Sequence, residues 1–212
     1  MNKKPCIVIG GGGHAKVLIE ALAAAKIKVL GFTDNVSKTI TIGNIKIPYL
    51  GSDEVLERYS PKKVYLVNGV GSVGRPRQRI EVYKKLKRAG YTFFTVIHPR
   101  AIIASGVELG EGVQVMAGVV LQTGVTVGEN SILNTRSSID HDCVIGAHAH
   151  VAPGAVLCGD VCVAEESHIG AGAVIIQGIK IGSQVLVRAQ SLVTADIETK
   201  KRGLLKTGSA AL

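Results

Sequence analysis

The sequence predicts two domains of different class: a Rossmann-like α/β domain over residues 1–96 and a parallel β-helix over residues 97–212. Three observations predict this. Strand and helix patterns alternate in the first half, four consecutive glycines separate the first strand from the first helix, and a branched aliphatic residue occupies every sixth position of the second half. Alternating strands and helices are typical of parallel sheets, and six-residue repeats are typical of parallel β-helices.

The first half is expected to form a parallel sheet with helices on its faces. Residues 5–9 are an apolar run that predicts a strand, and residues 14–26 place apolar side chains on one face of a helix. The segments that follow predict a strand at 28–32, a short helix at 52–59 with Ser52 as its N-cap, a strand at 64–67, a helix at 75–89 and a strand at 92–97.

The second half carries 17 consecutive branched aliphatics at a spacing of six, from Ile97 to Val193. An α-helix repeats every 3.6 residues, so this period indicates short strands joined by corners. Three six-residue sides make a coil of about 18 residues, and side chains 18 positions apart are expected to stack. The aliphatics and small residues such as Cys143 should fill the interior. Glycines that directly follow an aliphatic, such as Gly128, are expected at corners with positive φ.

Charge is divided unevenly between the two halves. The 212 residues carry a net charge of +9, but residues 1–96 hold 17 Lys and Arg against 6 Asp and Glu. This excess predicts an anionic partner such as a nucleotide-linked metabolite. Nucleic acid is not expected, because aromatic residues make up only 4% of the chain and no binding motif occurs. No 18-residue apolar run or signal-peptide pattern is present, and scattered cysteines lack zinc spacing. A cytoplasmic protein without a membrane span is therefore predicted.

The glycine run at residues 10–13 predicts a phosphate site. Backbone N–H groups of Gly11, Gly12 and Gly13 at the start of a helix face an anion, and Asp34 lies about 20 residues on, where it can contact a sugar or base. The alternative is a tight turn that needs glycine only for packing. The domain is too short for a full dinucleotide fold, so one nucleotide rather than NAD is expected.

One hexad of the repeat is chemically unusual, because His141 stands between Asp140 and Asp142. Imidazole has a reference pKa of about 6.5, and a carboxylate partner raises its basicity and fixes its tautomer. The hexad therefore predicts a general base, with a structural surface histidine as the alternative. A zinc site of the kind found in β-helix carbonic anhydrases is a second alternative, for which the candidate ligands are His148, His150 and His168.

These motifs resemble the nucleotide-sugar acetyltransferases of the left-handed β-helix superfamily, the group that holds bacillosamine and perosamine N-acetyltransferases and sialic acid O-acetyltransferase-like proteins. The resemblance covers Pro5 to about Ile197. It is carried by VIGGGGHAK at residues 8–16, by Ile97-His98-Pro99, by the hexads, and by Asn134 followed by Asp140-His141-Asp142-Cys143.

The resemblance implies a left-handed β-helix and a homotrimer that binds acetyl-CoA as co-substrate, without a metal, in clefts between neighbouring β-helices. It implies His141 as catalytic base with Asp142 as its partner, and Asn134 near the sugar. It assigns the nucleotide-sugar site to Gly11, Gly12, Gly13 and Asp34, and acetyl-CoA contacts to His150, Gly159, Ala171 and Ala189.

The reaction expected from this resemblance is direct acetyl transfer to the amine of a UDP- or GDP-linked 4-amino-dideoxy sugar. The alternatives are a sialic acid-type O-acetyltransferase, a non-catalytic protein that binds a nucleotide sugar, and a scaffold β-helix, which the irregular outward positions disfavour. The chain departs from the family after the last coil, where the usual Gly-x-Pro-Ala-Lys segment is missing. There Lys200, Lys201 and Arg202 are candidates to contact a CoA phosphate.

Overall fold

The structure is a computed structural model that describes residues 4–72 and 76–199. Its first half is an α/β domain. The elements are β1 Cys6–Ile9, α1 Gly13–Ala24, β2 Val29–Thr33, β3 Ile40–Ile42, β4 Ile45–Ile47, β5 Tyr49–Gly51, a 3₁₀-helix at Asp53–Arg58, β6 Tyr65–Asn68 and α2 Arg77–Arg88.

The central sheet of this domain has the order β5-β2-β1-β6, and all of its pairings are parallel. Strand β1 is buried along its whole length because both sheet faces are covered. Val8 packs in the cluster that contains Leu18 and Leu22 of α1, whereas Ile7 packs on the opposite face with Leu86 of α2. The predicted α/β class is confirmed, and the loops at the carboxyl ends of β1 and β6 become available for binding.

Several local details differ from the sequence prediction. The short helix is a 3₁₀-helix at Asp53–Arg58, and Ser52 makes no capping bond with its side chain. The β3–β4 hairpin and β5 were not predicted, although Gly43 sits in the two-residue turn between alternating isoleucines, with φ of 55°. The strand predicted at 92–97 is reduced to Val96–Ile97 and a bridge between Leu66 and Phe93, because the β-helix begins there.

The described part of the second half contains seventeen two-residue strands. They are β7 Val96–Ile97, β8 Ile102–Ile103, β9 Glu108–Leu109, β10 Gln114–Val115, β11 Val120–Leu121, β12 Thr126–Val127, β13 Ile132–Leu133, β14 Ser138–Ile139, β15 Val144–Ile145, β16 His150–Val151, β17 Val156–Leu157, β18 Cys162–Val163, β19 His168–Ile169, β20 Val174–Ile175, β21 Lys180–Ile181, β22 Leu186–Val187 and β23 Leu192–Val193.

These strands form three parallel sheets, which are the faces of a left-handed prism. The first face runs from β7 through every third strand to β22, the second from β8 to β23 and the third from β9 to β21. Partners are 18 residues apart, as His150 and His168 show, so the predicted coil length is confirmed. The hexad aliphatics from Val115 onward are buried. Ile97 is 42% exposed, against expectation, because it lies in the terminal coil.

The glycines that follow the aliphatics do not have positive φ, so that prediction was wrong. The positive values fall three residues after the aliphatics from Ile103 to Val187, for example at Asn130 and Asp142. Gly110, Gly128 and Gly146 are needed for another reason. A Cβ at Gly146 would lie 2.5 Å from the backbone nitrogen of Glu165 in the next coil, so these glycines permit close approach between coils.

The two ends of the β-helix are covered differently. At the far end, Ile197 bridges to Ile181 and its carbonyl accepts a hydrogen bond from the Gly182 N–H, at 2.7 Å. The predicted tail contacts of Lys200, Lys201 and Arg202 lie outside the described residues. The α/β domain packs on the first face, where five outward side chains are buried: Val96, Gln114, Ile132, His150 and His168. On β22, the last strand of this face, Leu186 is exposed.

Candidate active site

His141 lies on a sharp corner between β14 of the second face and β15 of the third face, which we call the His141 edge. Asp142 adopts a left-handed conformation with φ of 59°, and its carboxylate oxygen lies 2.8 Å from the Nδ1 atom of His141. The backbone N–H of His141 donates to Asp140 at 2.8 Å. Cys143 points into the prism and its thiol donates to the Cys158 carbonyl, so it offers no accessible nucleophile.

The surroundings of His141 favour a basic imidazole. The hydrogen bond that His141 donates to Asp142 raises the pKa of His141 above the ordinary value, and the charge of Asp140 adds to the increase. With the Nδ1 proton donated to Asp142, the Nε2 atom is left as the proton acceptor. The side chain is 56% exposed in the single chain, so this acceptor is accessible to a reacting group.

Gly159 lies directly against this imidazole, one coil further along the same edge. A Cβ added at Gly159 would lie 2.5 Å from both Cε1 and Nε2 of His141, so only glycine leaves room for the ring. The next residue, Asp160, donates its N–H to the His141 carbonyl at 2.9 Å. Among the described residues, the Gly159 N–H has no hydrogen-bond acceptor. It is therefore free to bind a carbonyl oxygen beside the histidine.

A second cluster forms where the first and second faces meet, which we call the Asn134 edge. His150 is buried at 7% exposure, its Nδ1 atom lies 2.7 Å from the Ser72 carbonyl, and its Nε2 atom lies 3.2 Å from the Asn134 side-chain nitrogen. The His168 ring stacks edge-on at 4.6 Å. Burial, and then His168, lower the pKa of His150 to about 3. The ring is neutral, with the Nδ1 proton donated to Ser72 and Nε2 accepting from Asn134.

The two alanines assigned to acetyl-CoA also lie on the Asn134 edge. Gly172 donates its N–H to Pro153, and Gln190 donates its N–H to Ala171. These bonds stack Pro153, Ala171 and Ala189 along the prism above the coil of Asn134. The residues assigned to acetyl-CoA are therefore divided, because Gly159 belongs to the His141 edge.

The glycine loop is held by Asp34. The Gly11 N–H donates to Asp34 at 2.8 Å, and Lys38 pairs with the same carboxylate at 2.9 Å. Burial opposes ionisation of Asp34, but these partners hold its pKa below the ordinary value. A Cβ at Gly11 would lie 2.7 Å from the Phe32 ring, so this glycine serves packing.

Gly12 and Gly13 differ from Gly11, because a Cβ at either position would meet no atom within 4 Å. Gly13 is the first residue of α1, and no acidic residue occurs in the first turn of that helix. The first N–H groups of a helix have no acceptor within the helix, so this helix start, with open space beside Gly12 and Gly13, suits an anion.

The sequence-predicted site residues therefore form two groups in one chain. His141, Asp142 and Gly159 share one edge of the prism, and the second face separates them from Asn134 and His150. The interactions of His14, Ser72 and Gln114 around the second group were missed by sequence reasoning. The polar Gln114 at an outward strand position, where the stacked partners Val96 and Ile132 are apolar, was the available signal.

A groove of about 320 Å³ lies between α1 and the Asn134 edge, lined in part by Glu20, His98, Arg100 and Thr135. Among residues 4–72 and 76–199, no group of three or more His, Cys, Asp or Glu side chains has the arrangement of a metal site. In the same part of the chain, no helix has the length and apolarity needed to cross a bilayer.

Three family models match consecutive parts of the chain. The PglD N-terminal domain matches residues 6–86, the bacterial transferase hexapeptide (six repeats) matches residues 124–159, and the hexapeptide repeat of succinyl-transferase matches residues 100–123 and 165–195. The curated UDP-N-acetylbacillosamine N-acetyltransferase of Bacillus subtilis is 33% identical over 118 residues, which are 54% of this chain. The match spans about half, 52%, of that relative's length.

Solved structures match almost the whole chain. The acetyltransferase domain of PglB from Neisseria gonorrhoeae is 33% identical with a TM-score of 0.84, covering 92% of this chain and 93% of that one. The same domain has been solved with acetyl coenzyme A. PerB from Caulobacter crescentus, in complex with CoA and GDP-perosamine, is 35% identical with a TM-score of 0.83, covering 92% of this chain and 91% of that one.

Proposed function

The chain belongs to the family of hexapeptide-repeat nucleotide-sugar acetyltransferases, and from this premise we propose that it acetylates the amino group of a nucleotide-linked amino sugar. The proposed donor is acetyl-CoA and the proposed acceptor a UDP- or GDP-linked 4-amino-dideoxy sugar. The observation that carries the proposal is the accessible His141–Asp142 pair with the free N–H of Gly159 packed against its imidazole. The names of the similar proteins support the two substrates.

In the proposed mechanism the sugar amine attacks the thioester carbonyl directly. His141 Nε2 accepts the amine proton as the tetrahedral intermediate forms or collapses, and Asp142 stabilises the resulting imidazolium. The Gly159 N–H donates to the developing oxyanion. The C–S bond breaks and CoA leaves as its thiolate, so no covalent enzyme intermediate is needed. The buried thiol of Cys143, whose pKa burial raises to about 11, supports this direct route.

The acceptor site is proposed at the start of α1, where Gly12 and Gly13 face open space. Asp34 fixes the glycine loop through the Gly11 N–H, and its carboxylate is proposed to contact a sugar or base. The excess of basic residues in this half of the chain favours an anionic ligand. Asn134 lies on the same side of the molecule, hydrogen-bonded to His150, and is proposed to contact the sugar.

The division of the site between two edges supports a homotrimer. The outward positions of the second face, between the two edges, carry the exposed apolar residues Ile102, Val156, Val174 and Leu192. Three copies that turn this face toward a common axis would bury the apolar surface. In such a ring the His141 edge of one copy meets the Asn134 edge of the next. Each cleft would then hold His141 and Gly159 from one chain, with His150, Ala171 and Ala189 from its neighbour.

The experiment is a measurement of thiol release from acetyl-CoA with UDP-, GDP- and CMP-linked amino sugars and their hydroxy counterparts. Turnover with one amino sugar is expected. Turnover only with hydroxy sugars would replace the proposal with O-acetylation. Binding of a nucleotide sugar and CoA without turnover would contradict catalysis and favour the non-catalytic alternative. A cytoplasmic location stays a prediction from the sequence.

A further inference from the structure

We propose that Gln114 is a positioning residue that joins the two loops of the acceptor site and thereby orients His14 and His150. This inference rests on the proposed function. The two loops are the glycine loop, which leads into α1, and residues 68–72, which begin at the last residue of β6. Gln114 itself belongs to β10 on the first face of the β-helix, so it links the loops to the catalytic domain.

The contacts of Gln114 use both ends of its amide. Its side chain is fully buried, its Oε1 atom lies 2.7 Å from the Nε2 atom of His14, and its Nε2 atom donates to the Asn68 carbonyl at 2.8 Å. A buried amide without partners is unfavourable, whereas here both ends are satisfied. Burial, followed by the charge of Arg79, lowers the pKa of His14 to about 4. The neutral His14 ring therefore donates its Nε2 proton to Gln114.

The Asn68 carbonyl is the junction of this network. It also accepts a hydrogen bond of 2.8 Å from Arg79, whose guanidinium binds the Val70 carbonyl at 2.8 Å and the Asn130 carbonyl at 3.2 Å. The Asn68 side chain in turn accepts from the Val70 N–H at 3.2 Å. The first residues of the loop are therefore fixed against the β-helix by fully buried polar groups.

The other end of the same loop meets His150. The Ser72 carbonyl accepts the Nδ1 proton of His150, and this bond leaves Nε2 to accept from Asn134. A shift of residues 68–72 would break the hydrogen bond between His150 and the Ser72 carbonyl. The His150 ring could then turn, and its contact with Asn134 would change. On the opposite side, His14 follows Gly13 in the first turn of α1, where the phosphate is proposed to bind. Gln114 is thus the side chain that hydrogen-bonds both to His14, at the start of α1, and to Asn68, at the start of the 68–72 loop.

The test compares Gln114→Met with the wild-type protein. Methionine fills a similar volume and makes neither hydrogen bond, so packing is kept while the link is lost. We expect the affinity for UDP or GDP, whichever binds the wild type, and kcat/KM for the amino sugar each to fall about tenfold.

Ser167→Ala is the matched control. Ser167 is also buried and uses both sides of its hydroxyl, but its partners, Gly182 and Val185, lie within the β-helix. It should lower the melting temperature without changing nucleotide affinity or kcat/KM. Gln114→Met with wild-type nucleotide affinity and kcat/KM would overturn the inference, as would equal losses in Ser167→Ala. Nucleotide affinity is measured without turnover. The role of Gln114 can therefore be tested even if the proposed reaction is not observed.

Discussion

His141 and His150 show how one residue type acquires opposite properties in a single fold. His141 stands on an exposed corner beside Asp140 and Asp142, and its pKa is raised. His150 lies under the α/β domain between Ser72 and Asn134, and its pKa is lowered to about 3. The first ring is exposed and made more basic, so it can accept a proton from a reacting group, whereas the second keeps one tautomer and works as a fixed hydrogen-bonding group.

The difference shows that the coils of the β-helix fix where each histidine lies, whereas the residues packed around each ring set its pKa. The same repeat of 18 residues per coil positions both histidines. Only His150 is covered by the α/β domain, because that domain docks on the first face alone. The His141 edge stays open for a reacting partner. Variants of the two histidines and their neighbours test this contrast.

The largest effect is expected for His141→Ala. Loss of the general base should lower kcat by about 10² to 10⁴. The corner is exposed, so assembly and the melting temperature should change little. Steady-state kinetics with size-exclusion chromatography check both points, and wild-type kcat in this variant would remove His141 from the mechanism.

A smaller loss is expected for Gly159→Ala. The new methyl would occupy the volume of the His141 imidazole and displace it, and a misplaced catalytic group can cost about 10²-fold in rate. Gly154→Ala is a control for the cost of glycine replacement, since a Cβ there meets no atom within 4 Å, although its φ of 68° adds strain. Full kcat in Gly159→Ala would show that the contact with His141 does not matter. An equal loss of kcat in Gly154→Ala would show that the loss comes from replacing a glycine.

For Asp142→Asn we expect kcat/KM to fall by about 10- to 100-fold, because the carboxylate that orients the imidazole is lost. The pH profile gives the sharper test. His141 must be neutral to accept a proton, so activity falls as pH drops through its pKa. Removing the carboxylate lowers that pKa, and the acid limb should move to lower pH. An acid limb that stays in place would show that Asp142 does not set the basicity of His141.

The smallest effect concerns stability against pH. The pKa of His150 is lowered on folding, so between about pH 6.5 and its folded value the unfolded chain binds the extra proton. Stability should therefore fall as pH drops, by roughly 1.4 kcal/mol per pH unit for such a histidine.

The comparison between variants isolates this contribution. His150→Gln should show a shallower loss of unfolding free energy between pH 7.5 and pH 5 than the wild type in denaturant titrations. His141→Ala should not, because a raised pKa gives the opposite sign: its stabilisation is present at low pH and disappears as pH rises. Parallel slopes for wild type and His150→Gln would mean that His150 titrates normally in the folded protein.

Much of the β-helix could be predicted because its repeat is local. Spacing alone gave the 18-residue coil, the stacking of His150 on His168 and the interior position of Cys143. The reason for the glycines at the corners was harder to predict. Gly128 and Gly146 are needed because the backbone of the next coil lies close to them, and neither has a positive φ.

The site was harder to predict than the fold. Its residues came from motifs and a family resemblance, but their division between two edges depends on which face each strand joins. The docking of the α/β domain depends on contacts such as Gln114 with His14, 100 residues apart in sequence. The periodicity of the sequence does not predict such a pair, because the contact forms only where the α/β domain meets the β-helix.

The most direct test of the central claim mixes two variants, His141→Ala and Asn134→Ala, after dissociation and reassembly. Each variant alone is expected to lose most of its activity, because each lacks one of the two proposed site residues. If each site combines the His141 edge of one copy with the Asn134 edge of the next, random trimers contain about a quarter intact sites, and activity returns to about that fraction of wild type. If both edges serve a site within one chain, no mixed assembly contains an intact site. Activity that stays at the level of the separate variants would contradict the account.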